Sequence, residues 1–181
     1  MVYILLANGF EEVEAFAPLD VLRRLNIDVK TAGVGGTEIC GAHGIKVTCD
    51  VAAEGIALSD VGGVILPGGM PGTKNLQADT KVNEITDYCF EKGLLVSAIC
   101  AAPMILGQKG ILKGCEATCF PGFEQYLEGA EVTGKSVAVN GNIITGKGAG
   151  AALEFGAAIA DFLLGKCGAG KEILKQMQYP L

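Results

Sequence analysis

Two side chains in this sequence have types and positions that could do chemistry together, Cys100 and Glu14. Cys100 falls where an apolar, strand-like run, Leu94–Ile99, passes into a helix starting near Pro103. Its neighbours Ala98, Ala101 and Ala102 are small, and proline suits a first helical turn because its missing N–H costs nothing there. This is the pattern of a strand–turn–helix elbow, which presents a nucleophile at the top of a sheet. A thiol at a helix start meets unpaired N–H groups and the positive dipole end, which lower its pKa. A cysteine packed between two buried elements is the competing explanation, and spacing alone does not separate the two.

Glu14 is unusual for a different reason. Glu11 and Glu12 read as first-turn acids facing a helix dipole. Glu14 shares its helix face with Ala17, Pro18 and Val21. A carboxyl on such a face must find a partner or keep its proton, because burial raises its pKa. Surface exposure is the alternative, since Pro18 disturbs the helical register.

Other candidates are weaker. The loop Gly68-Gly69-Met70-Pro71-Gly72 follows a buried strand and could turn backbone N–H groups toward an anion, or be only a tight turn. It has neither a dinucleotide fingerprint nor a phosphate-loop lysine. His43 is the only histidine, so a His-rich metal site cannot be built; Cys115 and Cys119 lack a second pair at zinc-binding spacing. No metal and no cofactor are expected.

These residues need elements to position them. Val2–Ala7, Asp28–Ala32, Ile45–Val51, Gly63–Leu66, Leu94–Ile99, Ser136–Val139 and Asn142–Thr145 read as strands. Helices are expected at about Glu11–Leu25, Asp79–Lys92, from Pro103, and Ala151–Leu164. The alternation predicts an α/β fold with a mainly parallel sheet covered on both faces. In such folds the ligand site lies beyond the carboxyl ends of the strands. Asn8-Gly9, the Pro67–Gly72 loop, Cys100 and Gly146-Lys147-Gly148 all fall there.

Composition restricts the class further. The 181 residues suit one domain, 1–181, and half are hydrophobic, so disorder is not expected. The net charge is −6 with no cluster of Lys and Arg, which argues against a nucleic-acid groove. No uncharged run reaches membrane-spanning length, and the apolar N-terminus is too short for a secretory leader. Seven dispersed cysteines, an odd number, fit free thiols in a reducing cytoplasm better than a disulfide scaffold.

Taken together, the segments resemble the ThiJ/PfpI superfamily, within it the branch of the Parkinson-disease-associated protein and its bacterial homologues. The resemblance rests on Gly9-Phe10-Glu11-Glu12-Val13-Glu14, Pro18-Leu19-Asp20-Val21-Leu22-Arg23-Arg24, Val64-Ile65-Leu66-Pro67-Gly68-Gly69, and Ala98-Ile99-Cys100-Ala101-Ala102-Pro103. A later match is Gly148-Ala149-Gly150 leading into Leu153-Glu154-Phe155.

The resemblance implies a flavodoxin-like three-layer sandwich that forms a homodimer. It makes Cys100 the nucleophile of the elbow and Glu14 a protonated acid beside it. Gly69 and Ala101, with Gly68 in the same loop, would bind substrate or supply oxyanion N–H groups. His43 would reach toward the site of a partner subunit. Two departures stand out: the protease branch carries histidine where this chain has Ala101, and relatives of the second branch often carry histidine where it has Phe120.

Three functions follow from the resemblance. One is a cofactor-independent glyoxalase or deglycase acting on methylglyoxal-type dicarbonyls or glycated adducts. Another is a redox sensor or chaperone whose Cys100 is oxidised to sulfinate. A cysteine protease or amidase needs a base that the sequence does not supply near Cys100.

Overall fold

Alternating strands and helices build three layers in the computed structural model, which describes residues 1–180. In chain order the first elements are β1 (Val2–Leu6), α1 (Glu12–Arg24), β2 (Val29–Gly33), β3 (Glu38–Cys40), β4 (Lys46–Thr48), β5 (Val51–Ala52) and β6 (Gly63–Leu66). Next come α2 (Gly72–Ala78), α3 (Thr80–Glu91), β7 (Leu95–Ile99), α4 (Pro103–Gln108), β8 (Glu116–Ala117) and β9 (Glu131–Val132). The last are β10 (Val137–Asn140), β11 (Ile143–Gly146), α5 (Ala152–Leu164) and α6 (Ala169–Gln176). Seven strands form the main sheet in the order β10-β11-β7-β6-β1-β2-β5, all parallel except β10, which runs antiparallel along one edge. Strand order reverses between β1 and β6, which opens a crevice at their carboxyl ends.

Side-chain alternation along the strands divides the core. Val2, Ile4 and Leu6 of β1 join Ile65, Leu95 and Ile99 on the face covered by α1, α5 and α6. Tyr3 and Leu5 join Val64, Leu66, Val96 and Ala98 on the face covered by α2, α3 and α4. Both faces are dry, so the strands read as continuous apolar runs with few charges, as a doubly covered parallel sheet requires. Among the buried polar residues of the strands, which include Thr31 and Thr145, Ser97 is fully buried and donates to the Val64 carbonyl at 2.9 Å.

Most expected elements appear within a residue or two of their bounds. The run Ile45–Val51 is different. It breaks into β4, which pairs with β3 in a separate ribbon, and β5, which joins the main sheet beside β2. Asp50 makes the break: its carboxylate accepts from Thr31 N (2.8 Å) and Oγ1 (3.0 Å) and pairs with Arg23 at 2.7 Å. Helices α2 and α6 were not expected; α6 packs Ile173 and Leu174 into the α1–α5 face. Asp161 fastens its start by accepting from the Gly168 and Gly170 N–H groups, at 2.9 and 2.7 Å. Helix α1 continues through Pro18, which cannot donate to the Glu14 carbonyl and is buried closely against Gly156 of α5. No helix among the described residues is long and apolar enough to cross a membrane.

Candidate active site

The crevice at the strand-order reversal gathers three adjacent strand ends, those of β1, β6 and β7. After β7 the chain turns through Cys100 with φ of +65°, a left-handed conformation that a residue with a side chain rarely adopts. Two backbone bonds hold it there: Cys100 N–H donates to the Gly146 carbonyl at 2.9 Å, and Phe120 N–H donates to the Cys100 carbonyl at 2.8 Å. The elbow read from the sequence is present, followed by Pro103 at the start of α4.

Glu14 reaches the same point from the first turn of α1 and is 1% exposed. Its Oε2 accepts the Gly68 N–H at 2.9 Å, and its carboxyl is hydrogen-bonded to the Cys100 side chain. The helix and the β6 loop are stitched together around this contact: Glu11 N–H donates to the Gly68 carbonyl at 2.9 Å, and Gly72 N–H to the Gly9 carbonyl at 3.1 Å. Only glycine fits at position 68, where a Cβ would lie 2.7 Å from both Cys100 Cβ and Glu14 Oε2. Gly69, with φ of +88°, likewise has no room for one against the Gly9–Glu11 backbone.

Burial pushes the Glu14 carboxyl up to about 7, with nearby Glu11 adding to the rise, while bonds from Cys100 and Gly68 act the other way. The Cys100 thiol is pushed up to about 12 by burial and by the Glu14 carboxylate, opposed by the N–H groups of Ala101 and Gly69. The lowered thiol pKa expected from a helix start is therefore not found; burial, and after it an ionised Glu14, outweigh the short, six-residue α4. A protonated Glu14 inverts the relation. It removes the negative charge and can donate a hydrogen bond to sulfur, which favours the thiolate. Other thiols lack this arrangement: Cys49, Cys89 and Cys119 are buried and pushed up to about 11, 12 and 11, chiefly by desolvation.

The sequence-derived residues separate into different tasks. Gly69 and Ala101 direct their N–H groups at the sulfur, whereas the Gly68 N–H is directed at Glu14. His43 does not meet Cys100 of its own chain. Its Nδ1 lies 2.8 Å from Glu12 Oε2 and 3.7 Å from Glu11 Oε1, and its N–H donates to Glu12 Oε1 at 2.9 Å. The ring is largely exposed, and the two carboxylates, Glu12 first, raise its pKa. Glu11, Glu12 and His43 are also residues whose ligand atoms could gather around a cation, within 4.8 Å of one another.

Sequence reasoning passed over Glu11. With Gly69, Met70, Ala101, Phe120 and Phe123 it lines, beside Cys100, a cleft of about 240 Å³. Phe120, at the position where histidine was looked for, forms part of that wall and places no titratable group there. The arrangement can carry out nucleophilic addition to a small electrophile, with backbone donors for a developing anion and one acid for the proton.

The DJ-1/PfpI family profile matches residues 1–161. Protein DJ-1 homolog B of Arabidopsis thaliana is 36% identical over 170 residues, covering 91% of this chain but only 38% of that protein. Drosophila melanogaster Protein dj-1beta is 34% identical over 166 residues, covering 90% and 89% of the two chains. A crystal structure of a mutant DJ-1 superfamily protein from Salmonella typhimurium superposes with a TM-score of 0.93 at 32% identity, covering 99% of this chain and 98% of the other.

Proposed function

This chain belongs to the DJ-1/PfpI family, and on that premise we propose that it is a cofactor-independent glyoxalase or deglycase acting on 2-oxoaldehydes such as methylglyoxal or on their adducts. One observation carries the reading. Glu14, held near pKa 7, is hydrogen-bonded to a cysteine whose sulfur also faces the N–H groups of Gly69 and Ala101.

The reaction runs as follows for methylglyoxal. The Cys100 thiolate adds to the aldehyde carbon; the aldehyde oxygen, facing the Gly69 and Ala101 N–H groups, takes the Glu14 proton. Glu14, now a carboxylate, removes the hydrogen from that carbon, and the electron pair moves onto the ketone oxygen to give an enediolate; the first hydroxyl then passes its proton to the second oxygen while Glu14 returns its proton to the second carbon. The product is a lactoyl thioester on Cys100, which water hydrolyses to lactate and free thiol. The aldehyde carbon is oxidised and the ketone carbon reduced within one molecule, so no external electron carrier enters the balance. For a glycated adduct, the bond to the amine or thiol breaks as the adduct's hydroxyl proton passes through Glu14 to the leaving group, and Cys100 adds to the aldehyde carbon so freed. Lactate formation without glutathione tests the reading: turnover lost in Cys100→Ser supports it, and none in the wild type rejects it.

A second reading uses the same donors. A sulfinate on Cys100 would present two oxygens to Gly69, Ala101 and a protonated Glu14, which favours a non-enzymatic redox sensor. Peroxide should then add two oxygens at Cys100 before any other cysteine. Peptide hydrolysis has less support, because His43, the sole histidine, is bound to Glu12. We place a homodimer in the same proposal, with the exposed His43 ring available to the second subunit.

A further inference from the structure

The Cys100 cleft has a neighbour. Met70 and Phe123, two of its walls, also wall a second depression of about 480 Å³, with Pro71, Lys74, Met104 and Tyr126. Small-molecule sites commonly span about 300–1,000 Å³. The cleft at Cys100, about 240 Å³, falls below that range and the second depression falls within it. A three-carbon dicarbonyl needs only the first.

The second depression has a definite chemistry. Phe123 and Tyr126 form a tilted aromatic pair, with ring centroids 5.9 Å apart. Two methionines complete a surface that is apolar and adaptable. Lys74 is the one charged residue lining it, is exposed, and joins no ion pair among the described residues. Charge differs between the two: Glu11 lines the Cys100 cleft and Lys74 the second depression. With a net charge of −6, the chain as a whole repels anions, so attraction to an anionic group must be local.

We infer that this depression is a substrate subsite continuous with the Cys100 cleft, seating an aromatic substituent that ends in an anionic group. The inference rests on the carbonyl chemistry proposed for Cys100 and names its substrate class: 2-oxoaldehydes, or adducts, bearing an aryl group with a distal carboxylate. The aldehyde end faces Cys100, the ring lies against Phe123 and Tyr126, and the carboxylate meets Lys74.

The test compares kcat/KM for 4-carboxyphenylglyoxal with that for phenylglyoxal. The wild type should favour the carboxylated probe about threefold, the scale of one exposed charge pair. Lys74→Glu should invert the preference; Lys171→Glu, an equal charge change at an exposed position on α6, should leave it as it was. Equal preference in wild type and Lys74→Glu overturns the subsite. A second readout does not depend on turnover: Cys100 alkylation by 4-(bromoacetyl)benzoate against phenacyl bromide, followed by mass spectrometry. If no oxoaldehyde is turned over but alkylation shows the same preference and inversion, the proposed reaction fails and the subsite stands. If alkylation shows no preference, the subsite fails whatever the turnover.

Discussion

Glu14 and Cys100 lie in hydrogen-bonding contact, so ionising one raises the cost of ionising the other. The carboxyl, buried and bonded to Gly68, titrates near 7, and its ionised form holds the thiol protonated. Reactivity of the sulfur is therefore a property of the pair. Glu14→Gln should keep the bond from Gly68 and leave Cys100 open to alkylation, yet lower kcat/KM for methylglyoxal about a hundredfold or more. Full activity in this variant would remove Glu14 from the reaction.

The same acid makes folding stability pH-dependent. Its folded pKa, about 7, lies above the ordinary 4.5, so the folded chain holds a proton that the unfolded chain has released. That contribution is fully present below about pH 4.5 and is lost progressively as pH rises through 7, the whole loss amounting to roughly 3 kcal/mol. Urea unfolding from pH 4.5 to 8 should show this decline in the wild type and a flatter profile in Glu14→Gln. Identical profiles would mean that Glu14 titrates normally.

Gly68→Ala should cost about 1–3 kcal/mol, since the added methyl meets Cys100 Cβ and Glu14 Oε2 at 2.7 Å. It should also change the Cys100 alkylation rate while the chain is still folded. Circular dichroism melting and thiol labelling measure the two effects separately; no change in either would contradict the packing.

Phe120→His tests what the missing histidine means. Position 120 lines the Cys100 cleft and is 48% exposed, so the ring has room. An imidazole there should act as a base above pH 6.5 and raise lactate formation about tenfold. An unchanged rate would show that Glu14 already carries every proton the reaction needs.

His43 should titrate above the usual histidine range, because Glu12 and then Glu11 favour its cation. Proton NMR of its ring should show Glu12→Gln moving the midpoint back toward 6.5. A midpoint insensitive to Glu12 would place the ring elsewhere in solution.

How far the sequence disclosed this molecule depends on whether a contact is local or distant. The strands were legible because both sheet faces are buried, leaving uninterrupted apolar runs. Cys100 and Glu14 were legible because a thiol after a strand and an acid among apolar helix positions are locally odd. Glu11 was not, since a first-turn acid is ordinary until Met70 and Phe123 arrive from other loops to make a cleft beside it. The division of Ile45–Val51 was hidden for a similar reason: Asp50 turns the chain by binding Thr31 and Arg23, neither of them near in sequence.

The helix that follows β1 and the turns that follow β6 and β7 supply Glu14, Gly68 and Cys100, although 54 residues separate the first two along the chain. The acid precedes the thiol in the chain, so a growing chain that carries Cys100 already carries Glu14, but the two meet only when β1, β6 and β7 have closed into one sheet. Assembly of the pair thus reports the closure of β1, β6 and β7 against one another. The rate at which Cys100 acquires its native reactivity during refolding is a clock for the central sheet, readable by pulse labelling at one atom.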